Sequence, residues 1–425
     1  MSTQERVEFL KKFDPEIAVL LENEQRKQHD TIGLIASENI ASPLSVCLEG
    51  SIFTNKNTEG YPGKRYVGGT ENEDKVELIA IDRLKKLFGC GHANLQSGNA
   101  TIANSSVFMG LLKPGDTVLS MSLSDGGHLS HGARFHFSGK FYNIISYGVN
   151  KDNEQIDMNE VRRMALEHRP KMIICGGSAY PRLIDYKAFR EIADEIGAYL
   201  WVDAAHIIGM IAGGAIPSPV PYADVVTFST QKTLRGPRGC GVILCKEELK
   251  DKIDRGVFPG MQGGPKADMI AARAVLFKEC MTKEYKNYQQ QVLKNAKALA
   301  NGCLNQGLSL VSGGTDTHLA LVKVTDFVGS GREAELLLES VGIITNKNLI
   351  PFDPLSSNLT SGIRIGSPLM TTRGAKEQEM EYIGNLIGRT LKNKNNQEEL
   401  EKIKREVAAI TAKYPMFAKE WNVAE

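Results

Sequence analysis

A lysine and an aspartate that follow two β-rich runs of the sequence could together carry out carbonyl chemistry. Lys232 lies in STQKTLRGPRGC, where Gly236, Pro237 and Gly239 set a turn. A lysine held after a core strand is desolvated, which lowers its pKa and lets its amine form a Schiff base with an aldehyde cofactor. For an isolated lysine, the alternative interpretation is a surface residue at a strand end.

Asp203 ends the apolar run AYLWVD, where a buried carboxylate needs a cationic partner because an unpaired buried charge is costly. The pyridinium nitrogen of pyridoxal 5′-phosphate (PLP) is such a partner, since an acidic residue beside it keeps the ring an electron sink. A helix N-cap is the alternative, with Asp203 preceding AAHIIG. His206, three positions on, could reach the same ring or be a satisfied core histidine.

Two histidines follow the run TVLSMSL in the segment SLSDGGHLSHG. Gly126 and Gly127 would let a flat ring approach the backbone, so that His128 could stack on it. A metal site is the alternative for His128 and His131, but no Cys or third His lies nearby at ligand spacing. We therefore expect no metal site.

Two further segments have residues suited to binding anions. ANLQSGNATIANSSV opens a helix with small polar residues, an arrangement whose N–H groups bind phosphate, although such clusters are mostly turns. Arg364, in LTSGIRIGSP, follows a turn inside an apolar run. Its guanidinium could clamp a substrate carboxylate or form a structural ion pair.

Alternating strands and helices are predicted to position these residues. Segments such as DYKAFREIADEIG predict helices between residues 75 and 250, separated by β-rich runs. The strand candidates are TVLSMSL, FYNIISYG, KMIICGG, AYLWVD, DVVTFS and GVILC. This alternation predicts an α/β fold with a mostly parallel sheet covered on both faces. Ligands then bind at the carboxyl ends of the strands, which Asp203 and Lys232 follow.

The flanking segments predict additional units. Residues 1–30 have apolar positions at helical spacing and form an arm that needs a surface to lie on, such as a partner subunit. Residues 51–70 predict a loop and residues 268–303 one long helix. LALVKVTDF, GREAELLLESVG and GIRIGSP indicate a smaller α/β domain, and residues 396–420 a charged amphipathic helix. The predicted domains are the helical arm 1–30, a large PLP-binding domain 31–285 and a small C-terminal domain 286–425.

Composition favours a cytoplasmic enzyme that acts on small molecules. The 425 residues include 51 basic and 50 acidic side chains, so no net field attracts nucleic acid or an anionic membrane. Seven cysteines without C-x-x-C spacing argue against a disulfide framework or a zinc site. The charged N-terminus lacks the apolar core of a secretory signal, and the longest apolar run contains Asp203 and His206.

Nine ordered motifs that span nearly the whole chain resemble serine hydroxymethyltransferase. They are ASEN at 36–39, TEGYPGKRY at 58–66, DGGHLSHG at 125–132, VDAAHIIG at 202–209, QKTLRGPRG at 231–239, VFPGMQGGP at 257–265, GGTDTHL at 313–319, NKN at 346–348 and TSGIRIGSP at 360–368. The resemblance implies a PLP-dependent transferase of fold type I with a mostly parallel seven-stranded sheet. It also implies a homodimer or tetramer whose subunits share active sites.

The resemblance assigns the central residues by position. Lys232 resembles the lysine that binds PLP covalently as an internal aldimine. Asp203 would pair with the ring nitrogen, His128 would stack on the ring, and His206 would lie beside the phenolic oxygen. Ser37 and Arg364 would hold the substrate carboxylate. The remaining implied cofactor contacts are Asn99, Ala100, Thr101, Ser178, Ser229, Gly263 and Gly264, the last two reaching the neighbouring subunit's phosphate.

The same resemblance implies tetrahydrofolate as co-substrate. Glu59 would be the acid/base beside the substrate hydroxyl and the folate, and Tyr66 would line that pocket. The positions that match folate contacts are Leu123, Gly127, Leu129 and Asn348. The implied reaction interconverts serine and tetrahydrofolate with glycine and 5,10-methylenetetrahydrofolate. Alternatives are a related PLP-dependent aldolase, an α-methylserine-type hydroxymethyltransferase, and a paralogue that binds PLP or folate with little catalysis.

Four departures from the family pattern alter the pocket. Asn57 and Val67 stand where family members usually have tyrosine, and Gln231 stands where they have histidine. The Ser-Gly-Ser loop before the phosphate-binding helix aligns with residues 99–101, Asn-Ala-Thr. Gln231 can form hydrogen bonds but does not titrate near neutral pH. Val67 leaves space for a larger α-substituent or another aldehyde, unless the change is compensated elsewhere in the pocket.

Overall fold

A computed structural model of the protein describes residues 3–416. Within this range the α-helices are α1 Thr3–Phe13, α2 Pro15–Asp30, α3 Pro43–Val46, α4 Glu71–Phe88, α5 Ala100–Leu111, α6 Phe137–Phe141, α7 Met158–His168, α8 Tyr186–Ile196, α9 Ile208–Ala212, α10 Lys250–Arg255, α11 Ala267–Cys280, α12 Lys283–Asn305, α13 Gly331–Ser340, α14 Pro368–Thr372, α15 Glu377–Lys392 and α16 Gln397–Lys413. The strands are β1 Ile32–Gly33, β2 Gly60–Tyr61, β3 Lys64–Arg65, β4 His92–Asn94, β5 Thr117–Met121, β6 Asn143–Tyr147, β7 Met172–Cys175, β8 Tyr199–Asp203, β9 Val225–Ser229, β10 Gly241–Cys245, β11 Ser309–Leu310, β12 Leu319–Lys323, β13 Ile343–Ile344, β14 Asn346–Asn348 and β15 Gly362–Gly366.

Seven strands form the central sheet, in the order β4-β10-β9-β8-β7-β5-β6. The five neighbours from β9 to β6 run parallel, whereas β10 is antiparallel to both β9 and β4. The mostly parallel seven-stranded sheet is therefore confirmed, and the six predicted strand runs correspond to β5 through β10. Strand β4 has three residues, which are too few for a periodic pattern to indicate a strand.

Helices bury both faces of this sheet, and successive residues of each strand point to opposite faces. Helices α4, α7, α8 and α11 cover one face, and α5 and α10 contribute to the cover of the other. Core residues of the first face include Leu119, Ile173, Leu200, Val226 and Leu244. Core residues of the second include Val118, Ile174, Trp201, Val225 and Ile243. The strand sequences are therefore continuous apolar runs, as expected for a sheet covered by helices on both faces.

The C-terminal part of the chain builds a second, antiparallel sheet in the order β11-β12-β15-β14. Helices α12, α13 and α15 supply much of its core. Strand β1 pairs in parallel with β13, so Ile32 and Leu34 are buried in this second core rather than in the first. Helix α12 spans the predicted boundary at residue 285, and the division into three domains stays a prediction.

Two helix predictions need correction. The single helix predicted over residues 268–303 is wrong, because α11 ends at Cys280 and α12 begins at Lys283. Thr282 caps α12 by accepting a hydrogen bond from the Tyr285 N–H at 3.2 Å, which requires a non-helical backbone at the cap. The tail helix α16 ends at Lys413, and residues 417–420 of that prediction lie outside the described residues.

The N-terminal arm consists of two helices, because Asp14 caps α2 and Pro15 opens it. Much of its apolar surface is uncovered: Phe13, Ile17 and Leu20 are 79%, 51% and 61% exposed. Between residues 3 and 416, no helix has both the length and the apolar character needed to cross a bilayer.

Candidate active site

The carboxyl ends of neighbouring parallel strands bring the predicted residues to one edge of the central sheet. Asp203 is the last residue of β8, and Ser229 is the last residue of β9 beside it. Ser178 follows β7, and Lys232 lies three residues beyond β9. This arrangement matches the prediction that ligands bind where such strands end.

Asp203 is buried, 8% exposed, and its two carboxylate oxygens accept three hydrogen bonds. Oδ2 accepts from His131 Nε2 and from Asn104 Nδ2, each at 2.8 Å, and Oδ1 accepts from the Ala205 N–H at 3.0 Å. Burial alone would raise the pKa of this carboxyl, but the hydrogen bond and charge of His131 hold the pKa well below its usual range. Asp203 is therefore ionised and, because a carboxylate can accept about four hydrogen bonds, has room for one further donor.

The N-cap alternative for Asp203 is wrong. Helix α9 begins at Ile208 and its N-cap position is Ile207, and the backbone N–H that donates to Asp203 is that of Ala205, which precedes the helix. Packing around Asp203 is tight, because Gly176 has φ +113° and a Cβ there would lie 2.1 Å from the Asp203 carbonyl oxygen. A glycine at 176 is thus needed for the chain after β7 to approach the backbone of Asp203 this closely.

Lys232 combines a desolvated amine with an anion at the same edge. Burial lowers the pKa of Lys232 to about 8, against the attraction of Asp203, and Arg364 and Arg238 lower it further. The Lys232 ammonium forms no ion pair within residues 3–416. A much larger fraction of the Lys232 amine is consequently neutral at physiological pH than for an ordinary lysine.

His128 and His131 lie in the loop after β5 and have different surroundings. His128 is half-buried, its Nδ1 lies 2.7 Å from Ser130 Oγ, and burial together with His131 lowers its pKa to about 4. His131 is buried against Trp201 and bonded to Asp203. Glycine at 127 permits close backbone packing, because a Cβ there would meet the Met121 carbonyl oxygen at 2.3 Å, and the approach of a flat ring to Gly126 and Gly127 stays a prediction.

A third potential metal ligand for this histidine pair comes from the fold. One atom each of His128, His131 and Asp203 lies within 4.8 Å of the others. Sequence spacing could not indicate this group, because Asp203 is 72 residues from His131 along the chain. The His131 and Asp203 atoms are already joined by a hydrogen bond, and His128 Nδ1 is joined to Ser130.

His206 is held by a second histidine, His318, which the sequence interpretation left without a role. The rings stack with centroids 5.4 Å apart, and His318 Nε2 lies 3.3 Å from His206 Nδ1 and 3.2 Å from the Ala36 carbonyl oxygen. Burial lowers the pKa of His318 to about 3 and that of His206 well below its ordinary value. Both rings are therefore neutral.

The contacts of His318 determine which nitrogen of His206 carries the proton. His318 Nδ1 is buried with no hydrogen-bond partner in the described part of the chain, and a carbonyl oxygen can only accept. The His318 proton therefore belongs on Nε2, facing Ala36 and His206 Nδ1, since the other tautomer would bury an unpaired N–H. His206 consequently keeps its proton on Nε2 as a donor.

Arg364, at the centre of β15, is a half-buried cation without an acidic partner among residues 3–416. Its Nη1 donates to the Ser178 carbonyl oxygen at 2.7 Å, while Nε is buried with no partner among residues 3–416. Burial lowers its pKa to about 10. The structural ion pair considered as an alternative is thus absent in the described chain. Ser37 lies near this strand, because its neighbour Ala36 packs against Gly366.

The N-terminus of α5 has the features of a phosphate site, but the loop before the helix lies earlier in the sequence than the predicted residues 99–101. Asn99 is the N-cap, and its Oδ1 accepts from the Ile102 N–H at 2.9 Å. Ala100 and Thr101 are therefore inside the helix and not in the loop before it, which is formed by residues 97–99. The N–H groups at the start of a helix have no intrahelical acceptor and favour anions.

Ser97 was missed by the sequence interpretation. The Oγ atoms of Ser97 and Ser229 are buried and lack hydrogen-bond partners among the described residues. Unpaired buried hydroxyls are costly, so a phosphate that accepts from them fits this place. Together with the ionised Asp203 and the Arg364 guanidinium, which has no acidic partner in the described chain, these residues fit an anionic cofactor with a cationic ring and a substrate carboxylate. The sequence signal that could have indicated Ser97 was the Gln-Ser-Gly-Asn turn at residues 96–99.

A second group of predicted residues lies together but apart from the first. Glu59 and Tyr66 face each other across the β2–β3 hairpin, where Tyr66 N–H donates to the Glu59 carbonyl at 3.0 Å. A Cβ on Gly263 would lie 3.5 Å from Glu59 Oε1, and one on Gly264 would lie 2.9 Å from Asn57 Oδ1. In the described chain, no hydrogen bond, ion pair or ring contact joins Glu59 or Tyr66 to the first group.

The predicted folate positions differ in exposure. Leu123 and Leu129, on either side of the Gly126–Gly127 turn, are 42% and 43% exposed, whereas Gly127 is buried. Asn348 is half-buried at the end of β14, where it pairs with Gly362. The two leucines therefore offer an apolar surface beside His128.

The departures from the family pattern have distinct surroundings. Gln231, beside Lys232, has a buried Oε1 without a hydrogen-bond partner in the range 3–416. It lines a cavity of about 540 Å³ together with Glu38 and Arg238. Val67 is 37% exposed.

A comparison with protein families agrees with this arrangement. Residues 10–387 match the protein-family model described as serine hydroxymethyltransferase. The match includes Lys232, Asp203, Arg364 and both groups of site residues.

Proposed function

The chain belongs to the serine hydroxymethyltransferase family of fold type I PLP-dependent enzymes, and from that premise we propose that it interconverts serine and glycine with tetrahydrofolate. The observation that carries the proposal is the presence, at one sheet edge, of both a Lys232 amine with pKa about 8 and an ionised Asp203. A desolvated amine that reacts with an aldehyde and an anion that holds a pyridinium are the two requirements of PLP chemistry.

Each proposed cofactor contact follows from an unsatisfied or charged group. Lys232 would bind the aldehyde, and Asp203 would accept a hydrogen bond from the ring nitrogen. Ser97, Ser229 and the first N–H groups of α5 would hold the phosphate, with Ser178 nearby. When bound, PLP withdraws electrons from the amino-acid Cα, which lets one of its bonds break.

The substrate would be oriented by its carboxylate. The Arg364 guanidinium lacks an acidic partner in the described chain, so a bidentate carboxylate from an amino acid would satisfy its donors. Ser37 would add a hydroxyl. A fixed carboxylate decides which Cα bond stands perpendicular to the cofactor ring, and so which bond breaks. The Nε2–H of His206 would donate to the cofactor's phenolic oxygen, while the His128 ring would lie on the cofactor face.

The proton at the serine hydroxyl would be moved by Glu59 from a partner subunit. In the described part of one chain, no hydrogen bond, ion pair or ring contact joins Glu59 or Tyr66 to Lys232, which supports a homodimer or tetramer with shared sites. The exposed apolar face of α1 and α2 supports the same assembly, since such patches usually mark interfaces. Leu123 and Leu129 would contact the folate, and Asn348 would supply a further folate contact. We propose a cytoplasmic location for this reaction.

A substrate panel on purified, PLP-loaded protein tests the proposal. Serine, α-methylserine and threonine are each supplied with and without tetrahydrofolate, and glycine and methylenetetrahydrofolate are measured. We expect folate-dependent turnover of serine. Turnover confined to threonine and independent of folate would instead identify an aldolase, and preference for α-methylserine would identify the related hydroxymethyltransferase.

Two controls separate catalysis from cofactor binding. Lys232→Ala should lose the yellow colour of the bound cofactor, whereas Lys140→Ala, at an exposed lysine, should keep it. Exchange of the glycine α-proton is measured in parallel. A coloured wild-type protein that shows no exchange and no turnover would contradict the proposal and indicate a binding paralogue.

A further inference from the structure

The side chain of Gln262 clamps the loop that precedes α5. Its Oε1 accepts from the Gly98 N–H at 3.0 Å, and its Nε2 donates to the Gln96 carbonyl oxygen at 2.7 Å. One amide therefore bonds the loop backbone on both sides of Ser97. Because donor and acceptor are both engaged, the amide has one orientation only.

This clamp acts on the backbone that presents the phosphate contacts. Ser97, whose buried Oγ has no partner within the described chain, lies between the two clamped residues. Asn99, the N-cap of α5, follows directly. Fixing residues 96 and 98 thus sets both the direction of the Ser97 hydroxyl and the start of the helix whose N–H groups favour an anion.

The loop is also tied to the hairpin that carries Glu59. The Gln96 side chain donates to the Gly60 carbonyl oxygen at 3.0 Å and to Glu77 Oε1 at 2.8 Å. Arg65 donates to Glu77 at 2.6 Å and to the Gly60 carbonyl at 2.7 Å. Three segments of sequence therefore form one hydrogen-bonded unit: the hairpin, the loop before α5, and the turn that holds Gln262.

The turn on the other side of Gln262 completes this unit. Gly263 and Gly264 follow Gln262 directly, and the Glu59 side chain packs on both. Gln262 itself is half-buried and uncharged, and both of these hydrogen bonds of its side-chain amide go to the loop before α5. Its amide is thus placed to order the phosphate loop rather than to fill a core.

We propose that Gln262 is a positioning residue for the cofactor phosphate, acting through the backbone of residues 96–98. The inference rests on the proposed function, because it takes PLP as the ligand. On this proposal, Gln262 strengthens the part of the PLP affinity that comes from the phosphate group, and not the part that comes from the ring or the aldehyde. A residue that merely stabilised the fold would affect both parts alike.

The test compares PLP with pyridoxal, which lacks the phosphate. Cofactor-free full-length protein is titrated with each compound, and the dissociation constants are read from the visible absorbance of the bound form. For Gln262→Ala we expect the dissociation constant for PLP to rise about tenfold, as for loss of two ordering hydrogen bonds. The dissociation constant for pyridoxal should stay unchanged.

A second variant distinguishes the two halves of the clamp. Gln262→Glu keeps an acceptor for Gly98 but loses the donor to Gln96 and adds a negative charge near the phosphate. PLP binding should weaken more than in Gln262→Ala, and pyridoxal binding should again stay unchanged. Gln291→Ala is the matched control, because Gln291 also bridges two segments, bonding Asn295 and Glu377 away from the site.

The outcomes separate this inference from the proposed function. Equal weakening of PLP and pyridoxal by Gln262→Ala, or no weakening of either, would overturn the positioning role while leaving the function intact. Wild-type protein that binds neither compound would overturn the proposed function, and the inference with it. Melting temperatures of the cofactor-free variants show that each is folded during the titrations.

Discussion

Replacing Lys232 by methionine should stabilise the cofactor-free protein, and more so at neutral than at alkaline pH. The pKa of Lys232 is lowered from 10.5 to about 8 by burial, so the folded protein binds its proton less tightly than the unfolded chain does. Between these two pKa values the unfolded state carries more protons, and stability rises with pH. Below pH 8 the Lys232 ammonium is charged in the folded protein as well, and its full destabilisation of the fold is present.

The expected size follows from the two pKa values. At pH 7 the lysine should lower the free energy of unfolding by about 3 kcal/mol, and at pH 9.5 by about 1.4 kcal/mol. Methionine has similar length and no charge, so Lys232→Met should recover about these amounts. Solvent that reaches the half-buried side chain would reduce both values in proportion, leaving the trend with pH.

Urea unfolding of the cofactor-free wild type and Lys232→Met at the two pH values measures this effect. Lys140→Met provides the control at an exposed lysine and should change stability little at either pH. A stabilisation by Lys232→Met that is equal at pH 7 and pH 9.5 would refute the reasoning, because it would arise from packing and not from a desolvated charge.

Two further predictions concern the groups around Lys232. Arg364→Lys should weaken binding of glycine to the PLP-loaded protein about 10- to 100-fold, since lysine cannot form the bidentate contact with a carboxylate; spectral titration with glycine measures this, and unchanged affinity would argue against Arg364 as the carboxylate clamp. His206 should carry its proton on Nε2, because His318 donates to its Nδ1; nitrogen-15 NMR of histidine-labelled protein reports the tautomer, and a proton on His206 Nδ1 would contradict the assignment.

The fold was largely predictable because its signals are local. Strands β5 through β10 are apolar runs bounded by turns, and a buried parallel sheet requires such runs. The break between α11 and α12 was not predictable from periodicity, since apolar spacing continues on both sides and one cap hydrogen bond at Thr282 decides the end. Strand β4 is defined mainly by its pairing with β10.

The site was predictable in part, for a related reason. The sequence indicated Lys232, Asp203 and Arg364 by their places after or within apolar runs. The partners His131 and Asn104 of Asp203, and the partner His318 of His206, could not be assigned, because each contact joins residues far apart along the chain.

By itself the sequence determined the family, the order of strands β5 through β10, and the residue types that can bind an aldehyde, an anion and a carboxylate. Only the tertiary structure decided which of these groups are desolvated or lack partners. Lys232 and Arg364 are half-buried cations, Asp203 is an ionised acid, and the buried Ser97 Oγ has no hydrogen-bond partner in the described chain. The physical reason is that pKa and hydrogen-bond satisfaction depend on burial and on neighbours that distant segments supply.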